Sequence, residues 1–392
     1  MGLRKTRKPL GLYIHIPFCK SKCEYCDFCS FVPNSDAVIE HYVDALILQM
    51  EDWSDKCRGR DVDSIYIGGG TPTFLSVKHI YRIFNAIYDN FRVSRGAEIS
   101  IECNPATADL GSLKKLRRLG INRISIGLQS ANDNELQALG RIHTYADFEQ
   151  TFENARRAGF DNISVDIMYG IPEQTDRSFI RTLSLVSSLS PDHISLYALK
   201  IEENTPFAQR RGTLNLPDED TEYGMYVKAV KYLADKGYER YEISNFAKRG
   251  YACLHNLKYW HCDEYLGLGA GAHSCFDGER FAATRSVRDY IDGLEIINND
   301  IKVIVSSDTL DSQESMEEYV MLGMRLEEGA SAADFEDRFG VSFADKYGAR
   351  LEEFIPDGFV EKTDEGYRFT TPGMFVSNYI LSEILDLEKK DE

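Results

Sequence analysis

The chain has 392 residues, 43% hydrophobic and 28% charged, which is the profile of a globular protein with room for one large domain and a smaller one. Its formal net charge of −18 argues against nonspecific binding to nucleic acid or anionic membranes, because both partners are themselves anionic. No run of about eighteen apolar residues marks a membrane span, and the basic start at 1–9, with Arg4, Lys5, Arg7 and Lys8, lacks the apolar core of a secretory signal.

From position 10 to about 200 the sequence alternates short β-rich runs with amphipathic stretches. Strands are expected over 12–16, 64–67, 98–102, 123–127, 163–167 and 193–199, with helices over 37–51, 76–90, 110–119, 145–159 and 177–189. Gly120 and Gly159 stand where helix C-caps are expected. Strict alternation of this kind means parallel strands joined by right-handed crossovers, as an open doubly wound sheet or a partial barrel. Either way, ligands gather at the C-terminal ends of the strands. A long helix over 218–236 leads into a segment rich in Tyr, His and Gly that runs through Gly271, and the polar stretch 306–313 reads as a boundary. Beyond it helices, a hairpin-like pair at 359–362 and 367–370, and a final helix suggest a small helical or winged-helix-like appendage, with an acidic tail at 386–392. Three parts are expected: 1–215, 216–300 and 301–392.

Nine cysteines without a signal peptide read as reduced cytoplasmic thiols, and four of them fall between Cys19 and Cys29. Cys19, Cys23 and Cys26, spaced C-x3-C-x2-C on one tight loop, suit three irons of a 4Fe–4S cubane and leave the fourth iron open to a small molecule. Structural zinc is the competing reading, with Cys29 as a fourth ligand. The run Gly68-Gly69-Gly70-Thr71-Pro72-Thr73 follows an expected strand directly. It lets backbone groups approach a ligand without interference from Cβ atoms, and it matches neither a dinucleotide fingerprint nor a P-loop.

Taken with Tyr13-Ile-His-Ile-Pro-Phe-Cys19, these motifs resemble the radical S-adenosylmethionine superfamily. More narrowly they resemble the branch that holds oxygen-independent coproporphyrinogen III oxidase and the HemW group of heme chaperones. The resemblance covers nearly the whole chain, through Ile101-Glu102-Cys-Asn-Pro105, Ser125-Ile-Gly-Leu-Gln129, Gly140-Arg141-Ile-His143, Asp166-Ile-Met-Tyr-Gly-Ile-Pro172 and Tyr265-Leu-Gly-Leu-Gly-Ala-Gly-Ala-His273. It implies a partial (β/α)6 TIM-type barrel with a smaller, mainly helical C-terminal domain. It also implies that Cys19, Cys23 and Cys26 ligate the cluster and that Tyr13 and Tyr25 lie close to S-adenosylmethionine. Gly69, Gly70 and Thr71 are implied to receive the cofactor's amino group. Glu102, Gln129, Arg141 and Asp166 are implied to surround its carboxylate and ribose, and Ala198 its adenine. An arginine for a carboxylate, an acid for an ammonium and an acid for ribose hydroxyls agree with the chemistry. Arg141 is expected on a helix. Cys29 reads as a non-ligand, because the resembling oxidases carry their extra cysteine one position earlier, where this chain has Phe28.

Two functions compete on that frame: decarboxylation of coproporphyrinogen propionates, and binding and delivery of heme. The short stretch before Tyr13 and the segment His255-Asn256-Leu-Lys-Tyr259-Trp260 both favour the chaperone. The imidazole is a good axial ligand, and the two aromatic rings offer flat apolar faces to a porphyrin. Cys253, His261 and Cys262 compete as axial ligands, and the bland alternative is a core turn with His255 hydrogen-bonded. His273 is expected to shape a glycine-rich loop lining the cavity. The implied partners are heme, a heme-accepting protein and an electron donor, with a homodimer left open.

Overall fold

The computed structural model describes residues 8–295 and 303–385, so the expected acidic tail and most of the basic start lie outside the described residues. Contacts divide the chain into two compact units. One runs to Pro217 and resumes over Glu264–Asp308; the other holds Asp218–Asp263 and the chain from Thr309. The expected middle segment, 216–300, is therefore shared between the two units. Its second part leaves the first because Tyr265–Leu268 hydrogen-bonds in parallel along the first strand of the chain.

The first unit is built on six parallel strands, β1 (Leu10–Ile16), β2 (Asp61–Gly69), β3 (Arg92–Cys103), β4 (Arg123–Gln129), β5 (Asn162–Tyr169) and β6 (His193–Ala198). They lie side by side in chain order, with helices α1 (Asp36–Ser54), α2 (Val77–Asn90), α3 (Leu110–Arg118), α4 (Asp133–Ala138), α5 (Tyr145–Ala158) and α6 (Asp176–Ser188) in the crossovers. A doubly wound sheet would reverse its strand order partway; sequential order is that of a barrel. β1 and β6 are not neighbours, so the barrel is partial. The free edge of β1 takes Tyr265–Leu268, followed by the antiparallel strands His273–Phe276, Glu279–Ala283 and Ile304–Asp308.

Local chemistry explains the crossovers. Helix α5 starts at Thr144, whose hydroxyl and the Asp147 carboxylate close a capping box, and it ends at Gly159 in the left-handed region, φ 93°. Its buried face is Phe148, Thr151, Phe152 and Ala155, the spacing of one helical stripe. The strands are buried on both sides. Ile99, Ile101, Ile124, Ile126, Ile163, Val165, Ile194 and Leu196 form the apolar set, and each isoleucine so buried contributes roughly 1.5–3 kcal/mol. The alternate positions carry Ser100 and Glu102, Ser125 and Gly127, Ser164 and Asp166, and His193 and Ser195. Pleat and register put these on the shared inner face, at the same levels.

In the second unit the helix Glu219–Asp235 starts at the Asp218 cap, within the span expected for it. The hairpin of Val360–Lys362 and Gly366–Phe369 forms as expected and adds Ala330–Ser331 as a third strand. Around it the unit is mainly helical, with Phe335 packed among Tyr319, Phe339, Phe343 and Tyr347. Among the described residues no helix is long and apolar enough to cross a membrane.

The C-terminal end of β1 is fixed from outside the barrel. The hydroxyl of Tyr42 on α1 donates to the His15 carbonyl at 2.8 Å and accepts from the Ala270 amide at 3.0 Å. Gly269 has φ 110°, and a Cβ there would stand 2.6 Å from the Tyr42 oxygen. The glycine-rich run before His273 thus packs against the outside of the barrel end. It does not line the central cavity, contrary to expectation, and His273 itself is exposed. Tyr42→Phe leaves a buried carbonyl and a buried amide without their partner. The expected cost is about 1–3 kcal/mol, seen as a lower urea midpoint at unchanged slope.

Candidate functional site

Beyond β1 the chain makes a loop whose base is a short ladder: the Phe31 amide donates to the Pro17 carbonyl at 2.9 Å and the Cys19 amide to the Phe31 carbonyl at 3.0 Å. Phe18 is buried beneath it, edge-on to Phe31 and Tyr42. At the loop tip the Cys26 amide bonds the Cys23 carbonyl at 3.3 Å and the Glu24 amide bonds the Leu139 carbonyl at 3.2 Å. Cys19, Cys23 and Cys26 thereby line one cavity of about 280 Å3 at the C-terminal ends of the strands.

The glycine run explains how the loop comes so close to β2. The Gly70 amide donates to the Ile16 carbonyl at 2.8 Å, and a Cβ on Gly70 would meet the Phe18 carbonyl at 2.7 Å and the Cys19 sulfur at 3.0 Å. Gly69 has φ 115°, and its amide donates to Glu102 Oε2 at 3.0 Å. Thr71 donates its hydroxyl to Cys19 Sγ at 3.6 Å.

Opposite the loop, β3 and β5 deliver two half-buried carboxylates, Glu102 and Asp166. Tyr66 donates to Glu102 Oε1 at 3.0 Å and Ser125 to Asp166 Oδ1 at 2.9 Å. Burial pushes the Glu102 carboxyl up, and the nearby Asp166 charge adds to it, to about 7 against these hydrogen bonds. Asp166 is likewise raised by burial and opposed by Ser125 and Ser195. Between them and the cysteines stands the guanidinium of Arg141, with Nη1 at 3.4 Å from Cys23 Sγ and Nη2 at 2.7 Å from Asn104 Oδ1 and 2.8 Å from the Gly127 carbonyl. Burial opposes its charge; Tyr25 and Cys23 restore it, so the cation is held. Arg141 lies in the segment between α4 and α5, not on a helix as expected, because the crossover breaks at Gly140 with φ 71°.

Cys19, Cys23, Cys26, Tyr25, Gly69, Gly70, Thr71, Glu102, Gln129, Arg141 and Asp166 line the one cavity together. Tyr13 and Ala198 do not. Tyr13 stacks on Tyr66 at 6.3 Å and bonds His15, one ring removed from the cavity, and Ala198 ends β6 as an exposed residue. Reading motifs alone missed Tyr66, Asn104 and Ser125. Ser125 and Asn104 sit inside motifs already singled out, at the same strand ends, and that proximity was the available signal. Phe28, 65% exposed, and Tyr197, 41% exposed, also line the cavity.

The donor set fits an iron–sulfur cubane. Among the described residues no three Cys, His, Asp or Glu side chains converge on a single metal ion, which is what a closed zinc site needs. A cubane binds its three thiolates through three different irons and needs only that they face one space. Cys29 does not line that space; its thiol donates to the Arg285 carbonyl at 3.2 Å.

The other segment singled out, His255 to Trp260, lies in the second unit on the helix Leu254–Trp260. His255 is completely buried, and its Nε2 lies 2.8 Å from the Tyr259 hydroxyl; Asn256, Tyr259 and Trp260 are half-buried. Cys253, before the helix, is buried, while His261 and Cys262, after it, are half-buried, with His261 Nε2 at 3.6 Å from Glu328.

Comparison with known proteins shows the family and the fold. A model of the radical SAM superfamily matches residues 13–186, and one of the HemN C-terminal domain matches 310–376. The chain is 34% identical over 376 residues to the heme chaperone HemW of Bacillus subtilis, covering 95% of this chain and 98% of that one. It is 33% identical over 382 residues to heme chaperone HemW of Escherichia coli, covering 96% and 98%. Among solved structures, coproporphyrinogen III oxidase (HemN) of Escherichia coli superposes with a TM-score of 0.85 at 25% identity, covering 98% of this chain and 91% of that one.

The raised Glu102 carboxyl makes a pH prediction. The folded chain holds a proton there that the unfolded chain releases near 4.5, so this contribution to stability is present at low pH and is lost as the pH rises through about 7. Glu102→Gln is expected to flatten that part of the stability profile, measured by denaturation between about pH 4.5 and 7. A profile identical to wild type contradicts the assignment.

Proposed function

The chain belongs to the heme chaperone HemW family of the radical SAM superfamily, and from that premise we propose that it binds heme and passes it to acceptor proteins while carrying a 4Fe–4S cluster and S-adenosylmethionine. The observation that carries the cofactor part is the convergence of three loop cysteines, two half-buried carboxylates and a half-buried arginine on one cavity. Cys19, Cys23 and Cys26 hold the cluster. When bound, it supplies an open iron for a small molecule and a site for one electron. The chain's own groups orient the cofactor. Gly69, Gly70 and Thr71 leave space for its amino group, Glu102 takes the ammonium charge, Arg141 pairs with the carboxylate, and Asp166 and Gln129 face the ribose. Tyr25 and the strand ends exclude water from this space.

Full-length similarity to heme chaperones at 33–34% identity, against 25% to the oxidase of nearly the same fold, supports the chaperone over coproporphyrinogen decarboxylation. Heme is placed at the Leu254–Trp260 helix, with Asn256, Tyr259 and Trp260 as flat or polar contacts. For His255 to become an axial ligand, its Nε2 must exchange the Tyr259 hydroxyl for iron. His261 and Cys262 are both partly exposed, and for His261 the partner that iron would replace at Nε2 is Glu328. The partners are a heme-accepting protein and an electron donor, and the compartment is the cytoplasm.

Anaerobic reconstitution followed by heme, S-adenosylmethionine and coproporphyrinogen tests this. A stoichiometric Soret band without loss of carbon dioxide is expected, and protoporphyrinogen in the products overturns the chaperone reading. His255→Ala, Cys253→Ser, His261→Ala and Cys262→Ser identify the axial ligand: one of them is expected to remove most of the Soret shift. If none does, heme does not bind at this helix.

A further inference from the structure

We propose that Asn104 is a positioning residue for the cluster: its side-chain amide directs the hydrogen bonds that two of the loop thiols, Cys19 and Cys23, receive. The inference rests on the cluster reading above and deepens it. Within Glu102-Cys103-Asn104-Pro105 the carboxylate has a role, and the asparagine has none until its neighbours are examined.

Asn104 is the middle member of a chain that ends on a loop sulfur at both sides. Asn104 Nδ2 donates to Thr71 Oγ1 at 2.7 Å, and Thr71 donates in turn to Cys19 Sγ at 3.6 Å. On the other side Arg141 Nη2 donates to Asn104 Oδ1 at 2.7 Å, and Nη1 of the same guanidinium donates to Cys23 Sγ at 3.4 Å. The orientation of the amide follows from chemistry. A guanidinium has only donors, so the atom that faces it is the oxygen, and the atom facing Thr71 is the nitrogen.

Both consequences are directional. A threonine hydroxyl has one proton, and with Asn104 donating into its oxygen that proton is left for Cys19. On the arginine, Asn104 Oδ1 and the Gly127 carbonyl together take Nη2, which leaves Nη1 for Cys23. The asparagine is itself fixed. Pro105 restricts its backbone to the extended region, and its carbonyl accepts from the Thr107 amide at 3.2 Å and hydroxyl at 2.6 Å. Asn104 touches neither sulfur, so it acts through Thr71 and Arg141. Hydrogen bonds to cluster-ligating sulfurs stabilise the more negative, reduced state, and such outer-shell partners tune reduction potential.

The test uses the full chain, reconstituted anaerobically, and reads iron content and the midpoint potential of the cluster. Asn104→Leu removes both ends of the amide at similar size and without charge. The expected result is iron loading equal to wild type, with the midpoint displaced to more negative potential. In a Thr71→Val background the same substitution is expected to produce a smaller displacement, because one of its two routes is already cut. If Asn104→Leu does not fold, Asn104→Asp serves: it keeps the acceptor for Arg141 and loses the donor for Thr71, and its displacement is expected to shrink in the Thr71→Val background. An unmoved midpoint at full iron loading overturns the proposal, as does a displacement fully additive with Thr71→Val. Those results leave the cluster reading standing, whereas a wild-type chain that takes up no cluster overturns that reading and this inference together.

Discussion

The site depends on one close approach, that of Gly70 to the chain leaving β1. Its amide bonds the Ile16 carbonyl, the Thr71 amide bonds the Phe18 carbonyl at 2.8 Å, and no Cβ intervenes between β2 and the Cys19 sulfur. These contacts place the root of the cysteine loop directly against the ends of β2 and β3. The carboxylates on β3 and β5 are then within one cavity of the thiols, and Thr71 is in reach of both Cys19 and Asn104. A side chain at Gly70 would displace the loop root, and the other members of the site would have nothing to converge on.

The inner face of the barrel is the second determinant. It carries Ser125 and Ser164 at the level of Glu102 and Ser195 at the level of Asp166, and Asp166 accepts from Ser125 and Ser195. Burial is the main reason Glu102 is raised, and the charge of Asp166 close by adds to it.

Much of this was legible in the sequence, for physical reasons. Parallel strands buried on both sides read as apolar runs, so all six were found, each within its observed bounds except that 193–199 ran one residue past Ala198. The cysteine loop and the glycine run are local in sequence, and local spacing fixes their geometry. What escaped was non-local or directional. That Tyr265–Leu268 joins the edge of β1 depends on pairing across some 250 residues, which no local pattern encodes. Tyr66, which stacks on Tyr13 and lines the cavity, was not singled out, because in a strand buried on both faces the pattern does not say which ring faces the cavity. Arg141 was assigned to a helix because the six-residue α4 and the turn at Gly140 leave no periodicity to read.

Fold alone does not choose between oxidase and chaperone here, since the chain superposes on the oxidase over nearly its whole length; the choice rests on full-length similarity to heme chaperones. The central claim is that three cysteines, and only these, hold a cluster with an open iron. The most direct measurement is the electron paramagnetic resonance spectrum of the reduced, reconstituted chain with and without S-adenosylmethionine. The account predicts a 4Fe–4S signal that shifts on adding the cofactor, survives Cys29→Ser unchanged and disappears in Cys19→Ala. A signal indifferent to S-adenosylmethionine, or lost with Cys29→Ser, would contradict it.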